Sequence, residues 1–362
     1  MPDRTAVLAS DRREFDYLPS ASGQWSPKDS HWDGTTYYGR PQVKAAPFNN
    51  WVVGGYIFLA GLSGASALIA ALAEQSLGGQ ARDAVRRGRY LSLLAPTIGS
   101  GLLIYDLHTP HRFYNMLRIA KSTSPMSIGT WNLVSFSALA FSAALAQVLS
   151  DVFPRAGWLR ASAAAVQLPT AVAGAGLSTY TAALLAATST PTWAAAPRAL
   201  AIRFGASSIA SSAAALSLTE QSPRVRRKLD LFAFAGLAVE LAATVAERRT
   251  HHRKGVAAAA ESRWATMEKV GATGLGTLLP LGLYAASLAM SQQRGRTAST
   301  FAALAVLTGS ALLRVSTMAI GDESASRPDV SLRFSQPNNL PEAEPSNRIG
   351  VQVDRLGASR RG

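Results

Sequence analysis

The sequence predicts an all-α integral membrane protein of about eight transmembrane helices, with a short interfacial amphipathic helix between the second and third. Three observations lead there. Apolar residues make up 48% of the 362 and come in long blocks instead of being dispersed. Only 16% of the residues are charged, and they gather between the blocks and at the two ends. The blocks run for about 18–25 residues, and at ~1.5 Å of rise per residue such a helix crosses a ~30 Å hydrocarbon layer. A large soluble bundle is the competing class, but its helices would carry charge along one face, and these blocks do not.

In chain order, residues 1–50 form a polar N-terminal tail with Ser, Pro and Gly. It lacks the charge-hydrophobe-small pattern of a secretory signal, so the first apolar block is expected to direct insertion. That block, WVVGGYIFLAGLSGASALIAALA at 51–73, contains no charge at all. Further blocks lie near 90–105, 127–149, 161–187, 199–218, 229–246, 270–290 and 299–320, giving a transmembrane domain over 51–320. Small residues crowd them, as in GGYIFLAGLSGASA (54–67) and AGAGLS (173–178). Helices in lipid associate by close backbone approach, so these stretches read as packing surfaces. Pro169 is expected to kink the fourth span or to leave a carbonyl free to bond elsewhere. Residues 321–362 return to a polar C-terminal tail in which little order is expected.

An even number of spans places both ends on one side, with the connections at 107–125, 188–198 and 247–269. We call this the tail side. Lys and Arg are nearly balanced between the two sets of loops, so the positive-inside rule does not orient the chain.

The net charge of +14 sits mostly in loops and tails, without a basic stripe interleaved with aromatics, which argues against nucleic acid and for contact with membrane lipid. There is no cysteine, so the chain cannot supply a disulfide, a thiolate metal site or an iron–sulfur cluster. The five histidines, His31, His108, His111, His251 and His252, all lie outside the middle of the spans, which leaves no paired axial ligands for haem b. No metal ligand set is expected.

The connection YDLHTPHRFYNMLRIAKSTSPMSIGTW (105–131) is rich in specific polar residues and poor in glycine. Thr109-Pro110 and Ser124-Pro125 each read as an N-cap followed by proline at the first helical position. Between them Phe113, Met116, Leu117 and Ala120 recur at i, i+3, i+4 and i+7, while Arg112, Asn115 and Arg118 fall on another face. The spacing predicts a short amphipathic helix lying at the interface.

These residues resemble the NrfD-like membrane subunits, the family of the polysulfide reductase membrane subunit. The resemblance rests on Asp106, Leu107, Pro110, Arg112, Phe113, Met116, Leu117 and Arg118, then Ser124, Pro125, Met126, Ser127, Gly129 and Trp131. TYYGRPQVKAAPFNNW (36–51), TYTAALLAATSTPTW (179–193) and GSALLRVSTMAIGDESASRPD (309–329) fit the same family. Two positions depart from its usual pattern: His108-Thr109 stands where Gly-Arg is common, and Ala187 where Asp or Asn is common.

The resemblance implies a quinone-binding subunit of a respiratory oxidoreductase complex in the cell's inner (cytoplasmic) membrane. Its expected partners are a ferredoxin-like iron–sulfur subunit and a catalytic subunit, either a molybdopterin enzyme such as formate dehydrogenase or a hydrogenase. The expected cofactor is a quinone of the menaquinone type, with no haem or iron–sulfur cluster in this chain. Two other readings remain open on the sequence: a transporter or channel, and a membrane anchor without quinone chemistry.

Quinone reduction adds two electrons and two protons, so the site needs hydrogen-bonding groups for the two oxygens and an ionisable group. Asp106, ending the second span, and His108 are the candidates for proton exchange. Arg112 is expected to hold Asp106 ionised, with Asn115 on the same polar face. Tyr180 lies about 10 Å below the tail-side surface. Asn49, Asn50 and Trp51 enter the first span from that side and are expected to line the pocket. Deeper in the bilayer, charges are costly and are functional candidates for that reason. Glu240 in the sixth span and Arg314 in the eighth are expected to pair with each other or to belong to a proton path.

Overall fold

In a computed structural model the described residues are 43–107, 109–290 and 292–335. They form eight long helices with short helical connections and contain no strand. We label them α1 (Asn50–Leu77), α2 (Arg82–Tyr105), α3 (Pro125–Val152), α4 (Gly157–Ala186), α5 (Pro197–Thr219) and α6 (Pro223–Arg253). Next come α7, made of Arg263–Thr266, Met267–Leu278 and Leu279–Ala289, and α8 (Gln292–Ser326). Among the described residues, seven segments are long and apolar enough to cross a membrane. The first, Asn50–Tyr105, is a hairpin of α1 and α2 folded at Gly78–Ala81. Its antiparallel pairing shows in the neighbours of its glycines: Gly88 faces Ala70, Gly99 faces Tyr56 and Leu59, and Gly55 faces Leu102.

Helix α1 is the central post, packed on α2, α4, α5 and α8. Its backbone carbonyls receive side chains from its neighbours: Ser212 donates to Leu62 (2.8 Å) and Gln167 to Ala67 (2.8 Å). A Cβ on Gly64 would lie 2.2 Å from the carbonyl oxygen of Gly174, so α1 and α4 cross where neither has a side chain. The same device joins α7 to α8 at Gly276 and Gly309, whose backbones touch. With no hydrophobic expulsion to drive association in lipid, close packing and interhelical hydrogen bonds hold such a bundle.

Two apolar clusters occupy opposite ends. Val53, Ile57, Phe136, Leu185, Trp193 and Phe204 belong to the tail-side cluster, and Ile69, Val85, Leu216, Leu229, Tyr284 and Val306 to the other. Between them runs a belt of buried serines, including Ser66, Ser207, Ser208, Ser211 and Ser310.

The structure differs from the sequence expectations in two places. The connection after α2 forms a 3-10 helix at Pro110–Leu117 in place of an amphipathic α-helix, with no buried residue. Pro110 takes the first helical position as expected, but Thr109 makes no capping bond, whereas Ser124 does accept from the Ser127 N–H. Residues 321–335 are ordered: α8 continues to Ser326, and a short helix at Pro328–Phe334 buries Val330 against Val256 and Ala259. The buried Arg327 fixes this turn by donating to the carbonyl of Ala258 (2.7 Å). Pro169 lies inside α4, which continues past it to Ala186.

Candidate functional site

Asn49 caps α1. Its side-chain oxygen accepts from the N–H groups of Trp51 (3.0 Å) and Val52 (3.2 Å), satisfying donors that a helix start leaves free. The N–H of Asn49 itself donates to Asp106 Oδ1 at 3.2 Å, so the end of α2 closes the start of α1. Among the described residues no ion pair joins Asp106 to Arg112, contrary to expectation. Arg112 and Asn115 are exposed on the 3-10 helix, and the carboxylate is taken up by a backbone amide instead. His108 lies outside the described residues.

The expected pocket residues separate into two groups. Tyr180 looks toward α3: its hydroxyl donates to the carbonyl of Pro125 (3.1 Å), and its ring fills the space over Gly129. Asn50 and Trp51 look the other way, toward α7 and α8. Trp51 packs edge-on against Trp264, with ring centroids 6.3 Å apart. Asn50 lines a cavity of about 300 Å3 with Arg263, Trp264, Asp322 and Glu323. This cavity opens where α1 and α7 begin and α8 ends, on the tail side.

Its polar groups form an unbalanced set. The Asn50 side chain hydrogen-bonds Asp322, and because a carboxylate only accepts, the amide nitrogen is the donor. The other oxygen-bearing end, Asn50 Oδ1, is buried without a partner, and so is Glu323 Oε2. The Ala46 N–H gives Asp322 one further bond at 3.2 Å. Asn50 and Glu323 both line the cavity, and each has one buried oxygen with no donor assigned to it. Leaving such groups unsatisfied costs on the order of 1–3 kcal/mol each, so the arrangement fits a ligand that donates two hydrogen bonds.

Deeper in the bundle, Glu240 and Arg314 are both buried, but no direct ion pair joins them. Arg314 donates to Ser207 Oγ (2.6 Å), Ser310 Oγ (2.8 Å), Ser208 Oγ (3.0 Å) and the Phe204 carbonyl (3.0 Å). Glu240 accepts from Thr277 (3.1 Å) and from Ser207. The expected pairing is thus made through the Ser207 hydroxyl, which accepts from the arginine and donates to the glutamate. Serine satisfies both ions without bringing them into contact.

Toward the tail side this network continues through residues that the sequence analysis did not single out. Arg203 on α5 pairs with Glu247 (3.0 Å) and with Glu268, and Arg248 bonds Glu268 at 2.9 Å. A cavity of about 230 Å3 adjoins them, lined also by His251, His252 and Lys269. The π-helical stretch Met267–Leu278 presents Glu268, Thr273 and Thr277 to this region. Arg203 lies inside the apolar block 199–218, so intramembrane charge was the signal that could have found it. Glu247 and Glu268 sit in charged stretches that look solvated, and only packing reveals their burial.

The described residues contain no cluster of metal-ligating side chains. Compared with known families, residues 43–322, well over half the chain, match the family described as polysulphide reductase, NrfD. No curated protein matches the chain.

Proposed function

This chain belongs to the polysulphide reductase NrfD family, and from that premise we propose that it is the quinone-reactive subunit of its complex. Members of the family are membrane subunits of respiratory oxidoreductases and work with iron–sulfur and molybdopterin subunits. In this reading the chain passes electrons between a ferredoxin-like iron–sulfur subunit and a menaquinone-type quinone in the inner (cytoplasmic) membrane. The catalytic partner is a molybdopterin enzyme such as formate dehydrogenase, or a hydrogenase.

One observation carries the reading: the tail-side cavity with two buried acceptors that lack partners, Asn50 Oδ1 and Glu323 Oε2. A quinol brings two hydroxyl donors on a flat ring and, when bound, supplies the two-electron chemistry. Asn50 and Glu323 would accept from those hydroxyls, and the indole of Trp264 would provide an apolar wall. Asp322 and Glu323 stand at the mouth as proton acceptors. Asp106 is tied to the residue next to Asn50 and would take part in proton exchange there; a role for His108 rests on the sequence alone. Arg112, Asn115 and Tyr180 would act from the neighbouring face. Glu240, Ser207 and Arg314 would form the inner part of a proton path reaching this surface through Glu268 and Glu247.

The test uses the purified complex. Glu323→Gln should lower quinone-linked turnover by about 10²-fold or more, the range for losing a positioned proton-transfer group, and Asn50→Leu, which removes a hydrogen-bond acceptor, by about tenfold. Electron flow from the catalytic subunit to a soluble dye should be unchanged. Quinone-linked turnover at the parent rate in both variants would leave an anchor without quinone chemistry at this cavity.

A further inference from the structure

Two recesses lie at the tail-side end of the bundle, and the beginning of α7 and the end of α8 stand between them. Trp264, Asp322 and Glu323 line the cavity assigned to the quinone, while Ala265, Glu268, Thr317 and Ile320, from the same two helices, line the recess beside Arg203. This second recess, of about 230 Å3, has room for several waters at ~30 Å3 each. Its lining runs from exposed to buried: Arg248, His252 and Lys269 are exposed, His251 is half-buried, and Arg203, Glu247 and Glu268 are buried. The quinone chemistry makes no use of His251.

His251 Nε2 lies 3.0 Å from the carbonyl oxygen of Thr192. A carbonyl only accepts, so this nitrogen carries the hydrogen, and in the neutral ring Nδ1 is the acceptor that can take up a proton. Glu247 stands one helical turn before it on α6, within its electrostatic reach. The charged groups around the ring are Glu247, Arg248 and His252 on α6, Arg203 on α5, and Glu268 and Lys269 on α7. Glu247 is already paired with Arg203, and Glu268 with Arg203 and Arg248, so neither carboxylate locks the imidazole in its charged form.

From Glu247 the polar contacts lead inward. Arg203 joins Glu247 to Glu268, and Thr273 donates to Glu268 at 3.1 Å. Thr277, on the same π-helical stretch, donates to Glu240 at 3.1 Å. Glu240 precedes Glu247 by about 10 Å along α6 and lies within electrostatic reach of Arg203. His251, Glu247 and Glu240 thus follow one face of a single helix, from the recess toward the middle of the bundle.

We propose that His251 is the proton-exchanging residue of this recess, taking protons from solvent at Nδ1 and passing them to Glu247, an assignment that rests on the proton path in the functional reading above. The recess is then the tail-side opening of the path to Glu240, separate from the quinone cavity. Histidine ordinarily titrates near neutral pH, whereas the arginines of the lining hold their protons. With two openings, protons exchanged in the quinone chemistry and protons moved across the bilayer travel by different routes.

The test uses the complex reconstituted in vesicles. His251→Gln keeps an N–H that can reach the Thr192 carbonyl but cannot take up a proton. It should keep quinone-linked turnover and the parent melting temperature while proton movement falls about 10²-fold. Parent-like proton movement in His251→Gln overturns the proposal. If Glu240→Gln still abolishes that movement, only the entry through His251 falls; if the parent complex moves no protons, the whole path falls and the quinone site stands. Should His251→Gln fail to assemble, nitrogen NMR of the full chain with its other four histidines replaced reads the ring directly. It should show the Nε2–H tautomer at about pH 8 and a second ring proton on acidification to about pH 5. A ring that stays neutral throughout, or that carries its hydrogen on Nδ1, overturns the proposal.

Discussion

The carboxylate of Asp106 accepts the backbone N–H of Asn49 at 3.2 Å, while the Asn49 side chain accepts from Trp51 and Val52. Two helices thus share one cap: α2 supplies the acceptor that the first residue before α1 lacks, and a negative charge there also suits the helix dipole. Asparagine at 106 keeps an acceptor oxygen and loses the charge, whereas alanine loses both. Asp106→Ala should therefore destabilise the protein by about 1 kcal/mol, with Asp106→Asn costing less. If Asp106 exchanges protons, Asp106→Asn should nevertheless lose quinone-linked activity as fully as alanine does. Thermal melting and turnover measured on the same preparations separate the two effects.

Arg203 is held between Glu247 and Glu268, all three buried in the tail-side half of the bundle. Removing the cation leaves Glu247 without its counter-charge and Glu268 with Arg248 alone, in a medium that solvates them poorly. Arg203→Met should cost about 3–5 kcal/mol, and combining it with Glu247→Gln and Glu268→Gln should recover most of that loss. Chemical or thermal unfolding of the single and triple variants checks this. Additive losses would mean that the three residues do not act as one unit.

The Gly276–Gly309 crossing leaves no room for a methyl group, since a Cβ on either residue would lie 2.1–2.4 Å from the Cα of the other. Gly309→Ala should push α8 away from α7 and lower stability by about 1–3 kcal/mol, the range for overpacking. Gly282→Ala, on α7 with open space around its Cβ position, is the control and should be nearly neutral. Melting temperatures of the two variants decide the matter.

Much of this fold was legible in the sequence because lipid imposes blunt rules. Every apolar block from 51–73 to 299–320 falls inside one of the long helices to within a residue at its end, and the small-residue stretches at 54–67 and 173–178 meet at Gly64 and Gly174. The site was less legible. Asn50 and Trp51 do line or flank a tail-side cavity, but Tyr180 turns to Pro125 instead, because a glycine at 129 opens a slot for its ring. Asp322 and Glu323 went unnoticed within a polar-looking exit from the last span, where only the packing of α1 and α7 makes them part of a cavity. The Asp106–Arg112 pair failed on a competing donor, the unsatisfied N–H at a helix start, which spacing along the chain cannot reveal.

Ser207 joins Arg314 to Glu240, and this makes the serine a more informative position than either ion. Its Oγ takes a hydrogen bond from Arg314 at 2.6 Å, and its proton is directed to Glu240. Ser207→Ala removes that bridge but leaves Arg314 bonded to Ser208, Ser310 and the Phe204 carbonyl, and Glu240 bonded to Thr277. The loss in stability should be about 1–3 kcal/mol, the range for unsatisfying a buried polar contact. On a proton path the consequence differs from that of a structural bond. The complex reconstituted in vesicles should keep quinone-linked turnover in Ser207→Ala and Glu240→Gln while losing proton movement across the bilayer. Ser207→Thr keeps the hydroxyl and should restore that movement. Proton uptake followed with a trapped pH dye, alongside turnover, reads both quantities, and parent-like proton movement in Glu240→Gln would remove Glu240 from any such path.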